Sequence, residues 1–321
     1  MRRMLAHIAR LLWGARKSGE WAGSKRLKKL YRRHAGRPFV VDEGNLRFMH
    51  FNQKSVQSAM KIDAPDELLC GYTVAMMAFL RVNPRPERIL MIGLGGGSLL
   101  KFCYRQLPAC RITVLEIDAD VIALRDRFML PADDERLSVI HCDAIDYLAQ
   151  NRLQVDVLLL DGFDGDGMVG ALTTPAFFAA CRQSLSPGGV LVVNMWGKRR
   201  ILADLLHELH AQFKHKVWWC RSLDSYNLIA FAFREGSAGF AAAQVPAAMR
   251  KNPGADHPLA RQWARLSRNM HHLPLAQAGA QVTAKVHAER ELAILRDKVI
   301  VLMATDPALP RSDAEWSAAH Q

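Results

Sequence analysis

Residues 88–100 read RILMIGLGGGSLL, an apolar run followed by a loop with four glycines and then a second apolar run. The first run predicts a buried strand, and the second predicts a helix that begins near Ser98. Glycines between them let the backbone adopt positive φ and approach a ligand closely, and the helix N-terminus adds a partial positive charge. We therefore predict the first strand–loop–helix unit of a nucleotide-binding domain here.

The same alternation continues toward the carboxyl end of the chain. Unbroken apolar runs alternate with helical stretches, which is typical of a parallel sheet covered by helices on both faces. The last two runs are separated by a hairpin-length segment only, so they predict an antiparallel edge pair. The sequence thus predicts an α/β fold with a doubly wound, Rossmann-like sheet that is mostly parallel. The further strands are expected at RITVLE (111–116), LSVIH (137–141), VDVLLLD (155–161), GGVLVVNM (188–195), KVWWC (216–220) and NLIAFAF (227–233), and the helices at 98–107, 119–128, 144–151, 175–185 and 199–213.

Four segments of different composition predict the domain organisation. Residues 1–37 form a basic N-terminal extension, and residues 38–65 alternate in short runs typical of a small β-hairpin or three-stranded unit. Residues 66–235 are predicted to form the Rossmann-like nucleoside-binding domain, which begins with a predicted helix. Residues 236–321 mix Ala-rich stretches with Pro, His and Arg, and they predict a helical C-terminal appendage.

The net charge of +12 belongs almost entirely to the basic extension. Residues 1–37 contain 12 Lys and Arg and one acid, whereas the rest of the chain contains 31 basic and 30 acidic residues. A nucleic-acid-binding domain would spread basic residues over a folded face, so the folded body is not predicted to be one. Residues 1–21 of the extension have the spacing of a basic amphipathic helix, which indicates contact with an anionic membrane or nucleic acid, although a solvated tail explains the same pattern.

Cysteine and histidine usage indicates the compartment and argues against a metal centre. The six cysteines include no Cys-x-x-Cys pair and stand mostly in apolar runs, so we predict free thiols in the reducing cytoplasm. No apolar run approaches the ~20 residues of a membrane span, so any membrane contact is expected to be peripheral, through the extension. The pairs His207/His210 and His271/His272 lack the HExxH order, and no metal site is predicted.

Acidic side chains follow the second, third and fourth strands of the predicted sheet. Glu116 comes about 20 residues after the glycines, where a carboxylate can accept both hydroxyls of a ribose. Asp143 suits either the exocyclic amine of adenine or the N-cap of the following helix, and both interpretations stay open. Asp161, Asp164 and Asp166 crowd one loop, which indicates a cationic ligand or a proton to be taken, unless they only form Asx turns.

As a set, these motifs resemble the polyamine aminopropyltransferases, the spermidine synthase family, over roughly residues 38–235. The resemblance is carried by the glycine loop 93–98, the strand end Leu115–Asp118, Asp143 and the loop Asp161–Gly165. It implies a sheet of the S-adenosylmethionine methyltransferase type and a homodimer. It also implies transfer of an aminopropyl group from decarboxylated S-adenosylmethionine to a diamine such as putrescine.

The resemblance also implies a role for each matching residue. Asp161 would be the general base that takes a proton from the acceptor amine, which is otherwise a cation at neutral pH. The donor would be held by Gly93, Gly95, Gly97, Glu116, Asp143 and Ala144, and the acceptor amine by Tyr72 and Asp164.

Two positions depart from the family pattern. Gly96 stands where the family has an aspartate, which would pair with the free amine of the decarboxylated donor and repel the carboxylate of intact S-adenosylmethionine. The run Gly71-Tyr72-Thr73 supplies the family's tyrosine but lacks the acid that follows it, for which Asp166 is a conceivable substitute. Two alternatives therefore stay open: a methyltransferase that uses intact S-adenosylmethionine on the same fold, and a non-catalytic family member.

Overall fold

The computed structural model arranges the described strands in two sheets, a small one followed along the chain by a large one. The predicted extension before residue 25, the acidic loop 164–167 and most of the predicted appendage lie outside the described residues. The described residues are 25–34, 37–51, 56–163, 168–197, 199–214, 216–225, 227–237, 239–240, 259, 262–263, 266 and 270–272.

The small sheet is antiparallel and confirms the predicted N-terminal β unit. Its strands, in both chain and spatial order, are β1 (Phe39–Glu43), β2 (Leu46–His50) and β3 (Val56–Lys61). The turn between β1 and β2 uses Gly44 at a φ of +55°, a left-handed conformation that glycine adopts without strain. Helix α1 (Lys25–His34) precedes the sheet and packs Leu30 and Tyr31 against the buried side chains of β1.

The large sheet carries the predicted doubly wound topology. Its strands in chain order are β4 (Arg88–Ile92), β5 (Arg111–Glu116), β6 (Leu137–His141), β7 (Val155–Leu160), β8 (Leu185–Met195), β9 (Val217–Arg221), β10 (Leu228–Phe233) and β11 (His271–His272). Their spatial order is β11-β9-β10-β8-β7-β4-β5-β6. The five strands from β8 to β6 are parallel, whereas β10 runs antiparallel to both β8 and β9. The strand order reverses at β4, where sheets of this kind bind ligands beyond the carboxyl ends of their strands.

Helices cover both faces of the large sheet. Along β4, Ile89 and Met91 enter one core cluster, whereas Leu90 and Ile92 enter the other. The predicted helix over 119–128 is shorter than expected, because the α-helix ends at Ile122 and a separate 3₁₀ turn follows. The helices are α2 (Gly71–Met76), α3 (Ser98–Gln106), α4 (Ala119–Ile122), α5 (Ala144–Gln150), α6 (Pro175–Ser184) and α7 (Arg199–Gln212), with 3₁₀ turns at Met77–Arg81, Asp126–Phe128 and Gly170–Thr173.

Several described residues beyond position 236 belong to the main core. Phe240, Leu259, Trp263 and Leu266 are buried in the same cluster as α2 and β10. The fully buried Trp263 donates its indole N–H to the carbonyl of Val74 at 3.3 Å. No helix in the described part of the chain is long and apolar enough to cross a membrane.

Candidate active site

The glycine loop, residues 93–97, joins the central strand β4 to the N-terminus of α3. Gly93 has a φ of +94°, and a Cβ there would lie 2.3 Å from the main-chain oxygen of Asp161. Gly97 precedes α3 with a φ of +66°, and its N–H donates to the carbonyl of Leu94 at 2.9 Å. The loop, which also contains Gly95, therefore lies directly against the end of β7, with the unpaired N–H groups of the first turn of α3 behind it.

Glu116 joins the end of β5 to this glycine loop. Its side chain is buried, and Oε2 accepts a hydrogen bond from the N–H of Leu94 at 2.8 Å. Oε1 accepts from the N–H of Asp118 at 2.9 Å. Each carboxylate oxygen has two lone pairs, so the fixed carboxylate keeps acceptor positions for ribose hydroxyls. The structure thus brings the predicted ribose acid and the predicted donor loop together.

Asp143 is the N-cap of α5. Its Oδ1 accepts from the N–H of Ile145 at 2.7 Å, which confirms the capping interpretation of this residue. The cap occupies one of the two carboxylate oxygens. Ala144 is buried beside it, and Ile117, at the end of the neighbouring strand, is 65% exposed. The end of β5 therefore presents an exposed apolar side chain, a feature that the sequence analysis did not single out.

Asp161 follows β7 directly and is held by two side-chain donors. Asn194 of β8 donates its Nδ2 to Asp161 Oδ1 at 2.7 Å, and the Tyr72 hydroxyl donates to the same carboxylate. Burial raises the pKa of Asp161 to about 6, although both hydrogen bonds lower it. Burial, followed by the charge of Asp161, raises the pKa of the Tyr72 phenol well above its usual range. At neutral pH, Asp161 is therefore mostly ionised, while Tyr72 keeps its proton.

A second carboxylate, Asp224, approaches the same place from the loop between β9 and β10. Its two oxygens accept from the N–H of Gly71 at 3.0 and 2.9 Å, and Oδ1 also accepts from the Ser222 hydroxyl at 2.9 Å. Burial raises the pKa of Asp224 despite these hydrogen bonds. Burial, and then the charges of Asp224 and Asp161, raise the pKa of the Cys70 thiol. The start of α2 thus lies within the electrostatic reach of two acids.

Gly96 lies where the packing leaves no room for a side chain. A Cβ at this position would be 2.5 Å from Ser58 Oγ and 2.8 Å from Cδ1 of the buried Phe128. Phe128 is held in turn by Lys101, whose Nζ donates to the Phe128 carbonyl at 2.8 Å. Replacement of Gly96 by an acid would require Ser58 and Phe128 to move, so the departure at Gly96 is part of the local packing.

The structure brings most of the predicted residues to one edge of the sheet. Tyr72, Glu116, Asp161 and the glycine loop lie at or beside the carboxyl ends of β4, β5 and β7, and Asp143 follows β6. Asp164 and Asp166 lie outside the described residues. The sequence analysis missed Asn194 and Asp224, since the first stands inside an apolar run and the second inside a hairpin-length segment.

Similarity to known sequences covers this region of the chain. The spermine/spermidine synthase domain matches residues 70–223, which extend from the start of α2 into the loop after β9. The polyamine aminopropyltransferase of Chromobacterium violaceum is 37% identical over 197 residues, which are 61% of this chain and 76% of that protein.

Solved structures share the fold at lower sequence identity. A probable spermidine synthase from Corynebacterium glutamicum superposes with a TM-score of 0.57 and 19% identity, over 76% of this chain and 95% of that one. Human methyltransferase-like protein 13, in complex with SAH, superposes with a TM-score of 0.51 and 23% identity, over 68% of this chain and 99% of that one. At these identities the likeness concerns the fold alone.

Proposed function

Because the chain belongs to the spermine/spermidine synthase family, we propose that it transfers an aminopropyl group from decarboxylated S-adenosylmethionine to a diamine such as putrescine. The observation that carries the proposal is the position of Asp161. Its carboxylate is held by Asn194 and Tyr72, and its main chain lies against Gly93 of the loop assigned to the donor. A base and a donor loop in direct contact are what an amine-alkylating site requires.

Asp161 supports the reaction by charge and by proton transfer. A diamine is a dication at neutral pH because aliphatic amines titrate near pH 10. The ionised Asp161 attracts this cation and accepts the proton that the attacking nitrogen must lose. The nitrogen then forms a bond to the carbon beside the sulfonium, the carbon–sulfur bond breaks, and the sulfur becomes a neutral thioether. The raised pKa of Asp161, about 6, makes it a better proton acceptor than an exposed aspartate.

We assign the donor to the edge formed by the glycine loop, β5 and β6. Gly93, Gly95 and Gly97 would let the backbone approach it, and Glu116 would accept hydrogen bonds from its ribose. Asp143 would use its second oxygen for the adenine amine, and Ala144 would pack against the base. Ile117 offers a further apolar surface for the adenine ring, because it directly follows Glu116 in the sequence and its side chain is 65% exposed.

We assign the acceptor amine to the neighbourhood of Asp161. Tyr72 supports this assignment, because its hydroxyl donates to Asp161 and so stands at the point where the proton is taken. Asp164 is proposed as a second anchor for the cation on the strength of the family resemblance. Asp224 supports the assignment independently, since its charge reaches Tyr72.

The packing around Gly96 favours one second candidate, a methyltransferase that uses intact S-adenosylmethionine. No acid stands at position 96 to repel a donor carboxylate, and the contacts with Ser58 and Phe128 leave no room for one. Both reactions share the fold and the nucleoside contacts, so they differ only in the donor that binds and in the group that is transferred.

Calorimetric titration of the purified protein with both donors tests the proposal. Tighter binding of the decarboxylated donor by at least tenfold, which corresponds to about 1.4 kcal/mol, would support aminopropyl transfer and would mean that another acid replaces the one absent at Gly96. Diamines would then be screened for transfer, with Asp161→Asn as the inactive control. Tighter binding of intact S-adenosylmethionine would favour methyl transfer instead, and binding of neither donor would contradict both reactions.

Partners and location are proposed separately. We propose that the protein is cytoplasmic and that the basic extension places it on anionic membrane or nucleic acid. The exposed side chains of Arg32 and Arg33 in α1 support this proposal. We also propose a homodimer, as the family resemblance implies. Sedimentation with anionic vesicles or RNA at two salt concentrations, with and without residues 1–24, which precede α1, tests the first proposal. Sedimentation equilibrium of the protein alone tests the second.

A further inference from the structure

A line of side-chain hydrogen bonds runs from the β9–β10 loop to Asp161. The Ser225 hydroxyl donates to Asn227 Oδ1 at 2.7 Å, and Asn227 Nδ2 donates to Asn194 Oδ1 at 2.9 Å. Asn194 Nδ2 then donates to Asp161 Oδ1 at 2.7 Å. In each of these three hydrogen bonds, the donor belongs to the residue farther from Asp161. We call Ser225, Asn227 and Asn194 the amide relay.

The direction of the relay is set by Asp161, because an ionised carboxylate only accepts hydrogen bonds. The two ends of an asparagine amide have almost the same shape, so hydrogen bonds decide which end faces which neighbour. Asn194 therefore turns its nitrogen toward Asp161 and its oxygen toward Asn227. Asn227 in turn donates its nitrogen to Asn194 and accepts with its oxygen from the Ser225 hydroxyl, which can either donate or accept. The reversed arrangement would place an amide oxygen against a carboxylate oxygen, which is costly because Asn194 is only 2% exposed.

We infer that the amide relay is a positioning device for the base Asp161, and that Asn194 and Asn227 act through Asp161 rather than on the substrate. The relay occupies Oδ1 of the carboxylate with a donor of fixed orientation. It thereby favours the ionised form and leaves the rest of the carboxylate to Tyr72 and the incoming amine. This inference rests on the proposed role of Asp161 as the general base.

The other groups near Asp161 do not fix this orientation. Tyr72 faces the carboxylate from α2 and donates to it, and the buried Cys70 thiol, just before α2, lies near it. Asp224 approaches from the β9–β10 loop, where its own carboxylate is held by Gly71 and Ser222. The relay residues carry no charge of their own, so they act on Asp161 through hydrogen bonds alone.

The substitution Asn227→Asp tests the direction of the relay. An ionised carboxylate at position 227 only accepts, so it competes with Asp161 for the Nδ2 donor of Asn194 and weakens the hydrogen bond to Asp161. The pKa of Asp161 should then rise by about one to two pH units, the equivalent of a lost hydrogen bond to a charged group. The pKa is measured by NMR of protein labelled with ¹³C at the aspartate carboxyl carbons, and the Asp161 signal is assigned by its absence in Asp161→Asn.

The matched control separates the relay from the added charge. In an Asn194→Leu background the relay is cut, so Asn227→Asp should shift the pKa of Asp161 much less than it does in the wild-type background. Equal shifts in the two backgrounds would refute the relay, because the effect would then be through-space charge. Ser225→Ala adds no charge and lies at the end of the line, so it should raise the pKa of Asp161 by a smaller amount. Should Asn194→Leu fail to fold, no shift in Ser225→Ala would refute the relay by itself.

This readout is independent of the reaction. The NMR titration needs neither donor nor amine, so non-additive shifts without any transfer activity would support the relay and contradict the proposed function. Transfer activity whose pH profile is the same in wild type and Asn227→Asp, with no NMR shift, would support the proposed function and contradict the relay.

Discussion

The substitution Asp161→Asn should stabilise the protein at neutral pH while it removes the proposed activity. The side chain of Asp161 is half-buried, and burial raises its pKa from an ordinary 3.8 to about 6. Asparagine has the same shape and stays uncharged. Its oxygen can accept from Asn194, as Asp161 Oδ1 does at 2.7 Å, and its nitrogen can donate to the Tyr72 hydroxyl.

The size of the effect follows from the difference in pKa between the folded and unfolded states. A rise of about 2.2, from 3.8 to about 6, corresponds to about 3 kcal/mol at about 1.36 kcal/mol per pH unit. Because the folded-state pKa is the higher one, Asp161 does not destabilise the wild type below pH 3.8. The free energy of unfolding then falls as the pH rises from 3.8 through about 6, where Asp161 ionises in the folded protein. The asparagine variant has no such loss, so its advantage should approach about 3 kcal/mol at pH 7.5 and vanish near pH 4.

Urea denaturation of both proteins at pH 4 and pH 7.5 measures this difference. Amine transfer by the variant should fall by about 100-fold or more, the usual contribution of a general base. In the wild type, transfer should decline as the pH falls through about 6, because Asp161 takes up a proton. Equal stability of the two proteins at pH 7.5, or a less stable variant, would refute the account of Asp161 as a half-buried carboxylate whose ionisation destabilises the fold.

Three further predictions concern the surroundings of the site. Glu116→Ala should weaken donor binding by about tenfold or more in calorimetry, since it removes a charged acceptor for the ribose; unchanged affinity would contradict the assignment. Gly71→Ala should lower the free energy of unfolding by about 1–3 kcal/mol in urea, because its Cβ would lie 2.3 Å from Asp224 Oδ1, whereas Gly170→Ala, with nothing within 4 Å, should have little effect. Ellman's reagent should modify Cys142, the half-buried thiol, before the five buried ones, which should react only on unfolding; rapid reaction of all six would contradict the burial pattern.

The fold was predictable because its decisive signals are local. Each parallel strand is an unbroken apolar run, and the glycine loop and Glu116 each stand directly at the end of one. Regular alternation with helices then determines the topology, since connections of this kind are right-handed and short. The placement of Gly93 and Glu116 at one edge follows from the same rule, because parallel strands end on the same side.

The parts of the site that escaped prediction depend on contacts between distant segments. Asn194 bonds to Asp161 and to Asn227, each 33 positions away, and no local pattern marks it inside an apolar strand. Asp224 reaches Gly71 across 153 positions, although its local sequence is that of an ordinary turn. Such pairings depend on which side chains of neighbouring strands and loops face each other in three dimensions. The local pattern of a single sequence does not encode these side-chain contacts.

The pairing of β11 with β9 has a consequence for how the chain is made. Among the described residues, the outer edge of β9 is covered only by His271 and His272, which pair with Trp219 and Trp218. His271 follows the end of β9, Arg221, by 50 residues. At a translation rate of about 5–20 residues per second, β9 is synthesised roughly 3 to 10 s before β11. During that interval the nascent chain has an unpaired edge strand that contains two tryptophans, and such an edge can pair with strands of other chains and so promote aggregation. A chain terminated after residue 235 would keep this edge unpaired.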